Sequence, residues 1–305
     1  MRDAFSKALV AAATNDPRVL LLTGDHGYAL FDEFRKTCES QYINAGIAEQ
    51  NMVGVAAGLA KAGFRPVVYG LSAFVPVRVL EQIKIDVCYE QLPVVFIGDG
   101  AGLVYSTLGT SHQSFEDIAC LRAVPHIDIM SPCDAAETTA CMQAAFNANG
   151  PVYLRMGKSD VGKIHDTLPA LERGKLVKVR DGKSSVAFIA TGSMVKTACQ
   201  VAEESGAAVW SAPWIRPLDE AQLLALASGH TALVTFEEHS ASAGLGSAVM
   251  ETIGEAHPIP VLRIGIGERF SITCGSHVHA MKEHGLDLAT VRERVLPFAR
   301  RWARP

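Results

Sequence analysis

One acidic residue in an almost wholly apolar setting is the first candidate for chemistry in this chain. Glu49 lies in Ile43-Asn44-Ala45-Gly46-Ile47-Ala48-Glu49-Gln50-Asn51-Met52-Val53-Gly54-Val55-Ala56-Ala57-Gly58-Leu59-Ala60. An extended piece ends at Ala45-Gly46, and from Ile47 the apolar residues Ile47, Met52, Val53, Ala56, Leu59 and Ala60 recur at helical spacing. Glu49 is thus expected in the first turn of a helix. Its small and apolar neighbours Ala45, Gly46, Ile47, Ala48, Val53, Gly54, Val55 and Ala56 should pack it into an interior or an interface. A buried carboxylate is costly without a partner. The plainer reading is that Glu49 only complements the helix dipole, an effect of about 0.3–1 kcal/mol.

A second candidate is His112, in Ser111-His112-Gln113 after a loop holding Gly102, Ser106, Thr107 and Gly109. A histidine there can donate to a developing alkoxide or carry a proton, although exposed loops often carry histidines with no such task. Phe74 offers a ring face on which a heterocycle can stack. Arg78 follows it, then Glu81-Gln82. Asp25 ends the first expected strand, where a turn-forming Asp is the rival reading. Cys274-x-x-His277-x-His279, with His284 beyond, fits no common structural zinc spacing and has no second cysteine pair, so no metal is assigned to it.

The positioning elements alternate. Strands are expected at 18–23, 65–70, 93–98, 127–131 and 152–155, with helices at 4–13, 47–60, 75–89, 115–121 and 134–147. After a stretch from Lys158 to Ser185 without a clear period, strands recur at 186–190, 207–211, 231–236 and 260–263 with helices between. Alternation of this kind implies α/β domains with parallel sheets covered on both faces. The expected divisions are a first domain at 1–165, a linker at 166–184 and a smaller α/β domain at 185–305.

Composition narrows the partners. The 305 residues are 49% hydrophobic and 20% charged, and the net charge of −4 is spread without a basic stripe, which argues against nucleic acid or a membrane surface as partner. No apolar run approaches a membrane span and Met1-Arg2-Asp3-Ala4 does not open a signal peptide, so a cytoplasmic location is expected. The seven cysteines contain no Cys-x-x-Cys and are expected to be reduced and buried.

Taken whole, the segment from Ile43 to Ala60 resembles the signature of the pyrimidine-binding domain of transketolases and 1-deoxyxylulose-5-phosphate synthases. The pieces Ile215-Arg216-Pro217-Leu218-Asp219, Glu237-Glu238-His239-Ser240, Gly244-Leu245-Gly246-Ser247 and Ile264-Gly265-Ile266-Gly267-Glu268-Arg269-Phe270 resemble the transketolase C-terminal domain. The resemblance implies a pyrimidine-binding thiamine diphosphate fold followed by that smaller domain. It also implies roles for residues. Glu49 would hydrogen-bond a ring nitrogen of the cofactor's aminopyrimidine and serve in catalysis, and His112 would contact substrate as donor and proton carrier. Phe74, Arg78 and Asp25 would lie at the cofactor, and Arg155 would match a phosphate-binding arginine.

Gly98-Asp99-Gly100 resembles the start of the metal and diphosphate motif of thiamine enzymes, but the window expected to hold its Asn reads Pro125-His126-Ile127-Asp128-Ile129, and the next Asn is Asn147. It is therefore read as a strand-end turn. The chain accordingly resembles the C-terminal subunit of a split transketolase. That implies a separate N-terminal subunit gripping Mg²⁺ and diphosphate, in a two-fold assembly with two of each. The implied activity is transfer of a two-carbon ketol unit between sugars or sugar phosphates. Two departures stand out: Leu108 replaces an Asp four residues before the histidine, and Gly100-Ala101 stands where a phosphate-contacting basic residue is usual. A 1-deoxyxylulose-5-phosphate synthase-like subunit, an E1β-like subunit of a 2-oxo acid dehydrogenase and a non-catalytic partner subunit remain alternatives.

Overall fold

The computed structural model describes residues 1–157 and 162–304, so the first residues of the aperiodic stretch, Lys158 to Val161, lie outside the described residues. Seven strands make the first sheet: β1 (Val19–Thr23), β2 (Tyr42–Asn44), β3 (Arg65–Leu71), β4 (Val95–Asp99), β5 (Asp128–Met130), β6 (Val152–Met156) and, from later in the chain, Trp214–Arg216. A second sheet holds β7 (Val177–Arg180), β8 (Val186–Ala190), β9 (Ala208–Ser211), β11 (Ala232–Ser240) and β12 (Val261–Ile266), the segment Trp214–Arg216 being β10. The orders are β10-β5-β6-β4-β3-β1-β2 and β12-β11-β8-β9-β7. Every pairing is parallel except those of the edge strands β10 and β7.

Sheets covered on both faces need strands that are apolar throughout, and β1, β4, β6 and β8 are buried at every position. Alternate side chains serve opposite faces. Leu20, Leu22, Val68 and Phe96 meet Met52, Val53 and Ala56 of the helix Glu49–Lys61 in one core. Leu21, Val67, Tyr69 and Ile97 meet Phe5 and Leu9 of the helix Arg2–Asn15, and Cys141 and Met142 of the helix Ala135–Asn147, in another.

The α/β organisation is as the alternation implied. Three local features differ. The helix expected at 75–89 is a composite of a 3₁₀ turn at Val77–Val79, one α turn at Leu80–Gln82 and a π segment at Ile83–Cys88. β7 forms inside the stretch expected to be linker, because an edge strand pairs along one side only and Val177-Lys178-Val179-Arg180 stays half in water. β10 leaves the second half of the chain to pair with β5 of the first sheet, a long-range pairing that three residues cannot signal by periodicity. Among the cysteines, Cys38, Cys88, Cys133 and Cys141 are buried and free, but Cys274 is exposed, because its segment lies on the surface of the second domain.

After the first domain the chain is tied back by His165. Asp134 caps the helix Ala135–Asn147 by accepting from Glu137 N at 2.8 Å, and its other oxygen accepts the amides of Ile164 and His165 at 2.9 and 2.7 Å. The His165 ring stands 3.3 Å from Asp134 Oδ2 and 3.8 Å from Glu137 Oε1. Burial alone would lower the imidazole pKa, but the bond to Asp134 and the charges of Glu137 and Asp134 outweigh it and hold the ring above its ordinary 6.5. A raised folded-state value means the stabilisation is complete below the unfolded value and fades as pH rises through the folded one. His165→Ala should therefore lose stability against urea most clearly at pH 6, with the deficit shrinking at pH 8.5; an equal deficit at both would rule out this charge contribution.

Candidate active site

Parallel β1, β2, β3, β4 and β6 present their carboxyl ends on one edge, where open α/β sheets place ligands. The turns after β1 and β2 touch there. A Cβ on Gly24 would lie 2.8 Å from the Gly46 carbonyl oxygen, so only glycine allows the approach that brings His26 and Glu49 together.

Glu49 opens its helix and is 4% exposed. Its burial within the chain is one-sided. Met52, Val53 and Ala56 are buried, whereas Gly46, Gly54 and Val55 face outward and Ile47 is 76% exposed. One carboxylate oxygen, Oε2, accepts from Arg78 Nη1 at 3.2 Å. The other, Oε1, lies 3.8 Å from His26 Nε2, and both of these buried atoms are without a hydrogen-bond partner among the described residues. Half of the carboxylate is therefore uncommitted.

Around it the sequence candidates converge. The Arg78 guanidinium stands 4.0 Å over the Phe74 ring, a cation–π contact continuous with its ion pair to Glu49. The Phe74 ring centroid is 5.4 Å from that of His112 and 6.0 Å from that of His26. His112 is half-buried, and its Nδ1 is 2.9 Å from Ser111 Oγ. Asp25 is exposed beside them at the end of β1. His26, not Asp25, reaches Glu49. Sequence reasoning passed over it, although its place in the same strand-end turn was a usable signal.

Arg155 is not part of this cluster. It is 5% exposed, with Nε donating to Asp117 Oδ2 at 2.8 Å and Nη2 to the carbonyls of Ser114 and Glu238 at 3.3 and 2.7 Å. The side chain expected to reach a phosphate is taken up at the junction of the two domains. Tyr153 OH adds a bond to Asp117 at 2.7 Å. Glu238 Oε1 accepts from Leu103 N at 2.8 Å and faces His277 Nε2 at 2.9 Å. Burial works against the Glu238 charge, but His277, Ser193 and the Leu103 amide overcome it and hold its pKa below the usual value. Next to them burial pushes His239 down to about 4. That neutral ring accepts from Ala119 N at 3.3 Å and lies 2.8 Å from the Ser240 carbonyl.

Asp99 is a strand-end residue turned inward. Tyr69 and Tyr105 hydroxyls donate to it at 2.7 and 3.2 Å, and Arg2 lies 3.5 Å away. Cys274, His277 and His279 do not converge, since His277 faces Glu238 and His279 Nε2 is 2.7 Å from Thr273 Oγ1. The Glu49 cluster lines an open edge. A cavity of about 480 Å³ bounded by His126, Asp128, Asn147, Arg173 and Trp214 shares no residue with it.

This arrangement of domains and site is matched in known proteins. Residues 1–163 fit the model of the transketolase pyrimidine binding domain, and residues 174–291 that of the transketolase C-terminal domain. The chain belongs to the transketolase family. It is 34% identical to one of the subunits of the apulose-4-phosphate transketolase of Phocaeicola vulgatus, over 98% of this chain and 97% of that one. It is 33% identical to a 6-deoxy-6-sulfo-D-fructose transketolase subunit of Clostridium sp., over 88% and 85%. Among solved structures, a split gene transketolase described as an inactive β4 tetramer superposes with a TM-score of 0.89 at 33% identity, covering 99% of this chain and 98% of that one. This chain thus spans nearly the whole length of a subunit of a split-type transketolase.

Its Asp117–Arg155 pair is buried on both sides, and removing one member of such a pair leaves an uncompensated charge. Arg155→Met should lower the stability of the subunit by about 3–5 kcal/mol in urea titrations. Asp117→Asn in the same chain should restore part of that loss, whereas a single variant as stable as the parent would refute the assignment.

Proposed function

We propose that this chain is the pyrimidine-side subunit of a two-subunit transketolase, transferring a two-carbon ketol unit from a ketose to an aldose. The observation that carries the proposal is the half-committed carboxylate of Glu49, buried at an open sheet edge beside Phe74 and His112. The donor set fits an aminopyrimidine. Glu49 Oε1 has no hydrogen-bond partner among the described residues, and the Phe74 ring offers a flat apolar contact.

When bound, thiamine diphosphate supplies the covalent chemistry of carbon–carbon cleavage and formation. The protein's part is placement and proton handling. With the cofactor bound, Glu49 would hold a proton at a ring nitrogen and Phe74 would offer its ring face to the pyrimidine, while Arg78 fixes the carboxylate through Oε2. His112, from the neighbouring loop, donates to the substrate oxygen on which negative charge develops. Asp25 lies at the mouth of the same edge.

A separate N-terminal subunit would hold the diphosphate and Mg²⁺ or a similar cation, in an assembly with two of each subunit. Two features support this. Asp99, in the only Gly-Asp-Gly, is fully buried with the Tyr69 and Tyr105 hydroxyls on its Oδ2, and it presents no exposed oxygen to a metal. The first domain also leaves Tyr28, Ile47, Ile85 and Tyr89 exposed, a set of large apolar side chains suited to a partner surface.

Calorimetry tests the division of labour: thiamine diphosphate with Mg²⁺ should bind the mixture of subunits and not this chain alone. Glu49→Gln keeps the shape and removes the proton relay, so it should reduce transfer by about a hundredfold or more while leaving folding and pairing intact. Near-parental activity in that variant would sink the assignment.

A further inference from the structure

We infer that Cys133, Glu137 and His165 form a structural zinc site where the two domains meet. It shares no residue with the Glu49 cluster, and the inference does not depend on the ketol-transfer reading.

Three pieces of chain come together there. Cys133 immediately precedes Asp134, the capping residue of the helix Ala135–Asn147, and Glu137 lies in the first turn of that helix. His165 belongs to the segment that follows the first domain, and Ser211 ends β9 of the second sheet. One sulfur, one carboxylate oxygen and one imidazole nitrogen, from Cys133, Glu137 and His165, all lie within 4.8 Å of one another. Cys133 Sγ is 3.8 Å from His165 Nδ1, and His165 Nε2 is 3.8 Å from Glu137 Oε1. Zinc bonded to a thiolate, an imidazole and a carboxylate sets its ligand atoms about 3.4–3.6 Å apart, so the widest separation has to close by roughly 1 Å.

The groups around the cluster are those that orient metal ligands. Cys133 and Glu137 are fully buried, and the His165 side chain is 10% exposed. Its Nε2 is a buried atom without a hydrogen-bond partner among the described residues, while Nδ1 stands 3.3 Å from Asp134 Oδ2. A carboxylate on one ring nitrogen fixes the tautomer and turns the lone pair of the other toward an ion. Glu137 is held in the same manner: Oε1 accepts from Ser211 Oγ at 2.8 Å and Oε2 from the Cys133 amide at 2.6 Å. Each oxygen keeps a second lone pair for a metal.

The donor set selects the ion. Mg²⁺ and Ca²⁺ take oxygen ligands, whereas sulfur and nitrogen with a single carboxylate suit Zn²⁺. A surface cavity of about 470 Å³, lined in part by Asp134, Gly162 and His165, gives a path from solvent and a source for a fourth, water ligand. Binding sends the Cys133 thiol proton, and any proton on the His165 ring, to solvent. In the metal-free chain a ring proton serves Asp134 and Glu137 in the ion's stead. The pH profile given above for His165→Ala therefore refers to protein freed of metal by a chelator.

The test uses the full-length chain, stripped with chelator, kept reduced and titrated with Co²⁺ as the spectroscopic substitute for Zn²⁺. One equivalent should give a thiolate-to-cobalt charge-transfer band, which one equivalent of Zn²⁺ should remove by displacement. Cys133→Ser should abolish the band, and His165→Gln should weaken Co²⁺ binding by about a hundredfold or more. Cys274→Ser, at an exposed cysteine, should change neither band nor affinity. Zn²⁺ should also raise the unfolding midpoint of the parent and leave that of Cys133→Ser in place. The inference is overturned by a parent chain without the band, by a band that survives Cys133→Ser or disappears in Cys274→Ser, or by an affinity unmoved in His165→Gln. The parent and Cys274→Ser titrations decide the matter even where a variant at the buried cluster fails to fold.

Discussion

The buried ion pair between Asp117 and Arg155 is the constraint on which the site's geometry depends. Arg155 is the penultimate residue of β6 in the first sheet, Asp117 opens the helix just after the His112 loop, and the same guanidinium reaches the backbone of Glu238 in the second domain. Glu238 then returns its carboxylate to Leu103, near the start of that loop. Both ends of the loop are thereby held to one set of charges, and His112 projects from a segment fixed at its base. Gly102 shows how closely the parts fit, since its left-handed backbone would place a Cβ 2.6 Å from Glu238 Oε1.

Buried charge is compensated more fully at the junction than at the sheet edge. At the junction, Arg155 meets a carboxylate and two carbonyls, and Glu238 meets a histidine and an amide. Short hydrogen bonds offset most of the desolvation there, which favours rigidity, although Asp117 Oδ1 has no hydrogen-bond partner among the described residues and lies 3.9 Å from His239 Nε2. At the edge, Glu49 has one oxygen tied to Arg78 and one left open. Such incompleteness costs stability and is the usual mark of a place reserved for a ligand. The two conditions are coupled in space, because the rigid junction carries the loop that brings His112 to the same Phe74 ring that Arg78 covers.

Much of this could be read from residue order. Continuous apolar runs alternating with helical periods gave the parallel α/β architecture, because burial on both faces demands it. The apolar surroundings of Glu49 foretold its burial, and the spacing of Phe74, Arg78 and His112 within a recognisable family pattern picked out members of one cluster. Whether the Glu49 helix is covered within the chain or at an interface was left open, because residues such as Gly54 and Val55 suit either surface equally well in a single sequence.

By itself, then, the sequence determined the class of fold, the family signature and most of the side chains that meet at the edge, since these follow from local period and residue type. Only the tertiary structure decided that Arg155 serves the domain junction, that His26 and not Asp25 reaches Glu49, and that β10 crosses to the first sheet. Each of these depends on partners far apart in the chain: Asp117 and Glu238 for Arg155, the turn after β2 for His26, and β5 for β10. Which distant group meets a given charge, ring or strand edge is settled by packing, and no local pattern of residues records it.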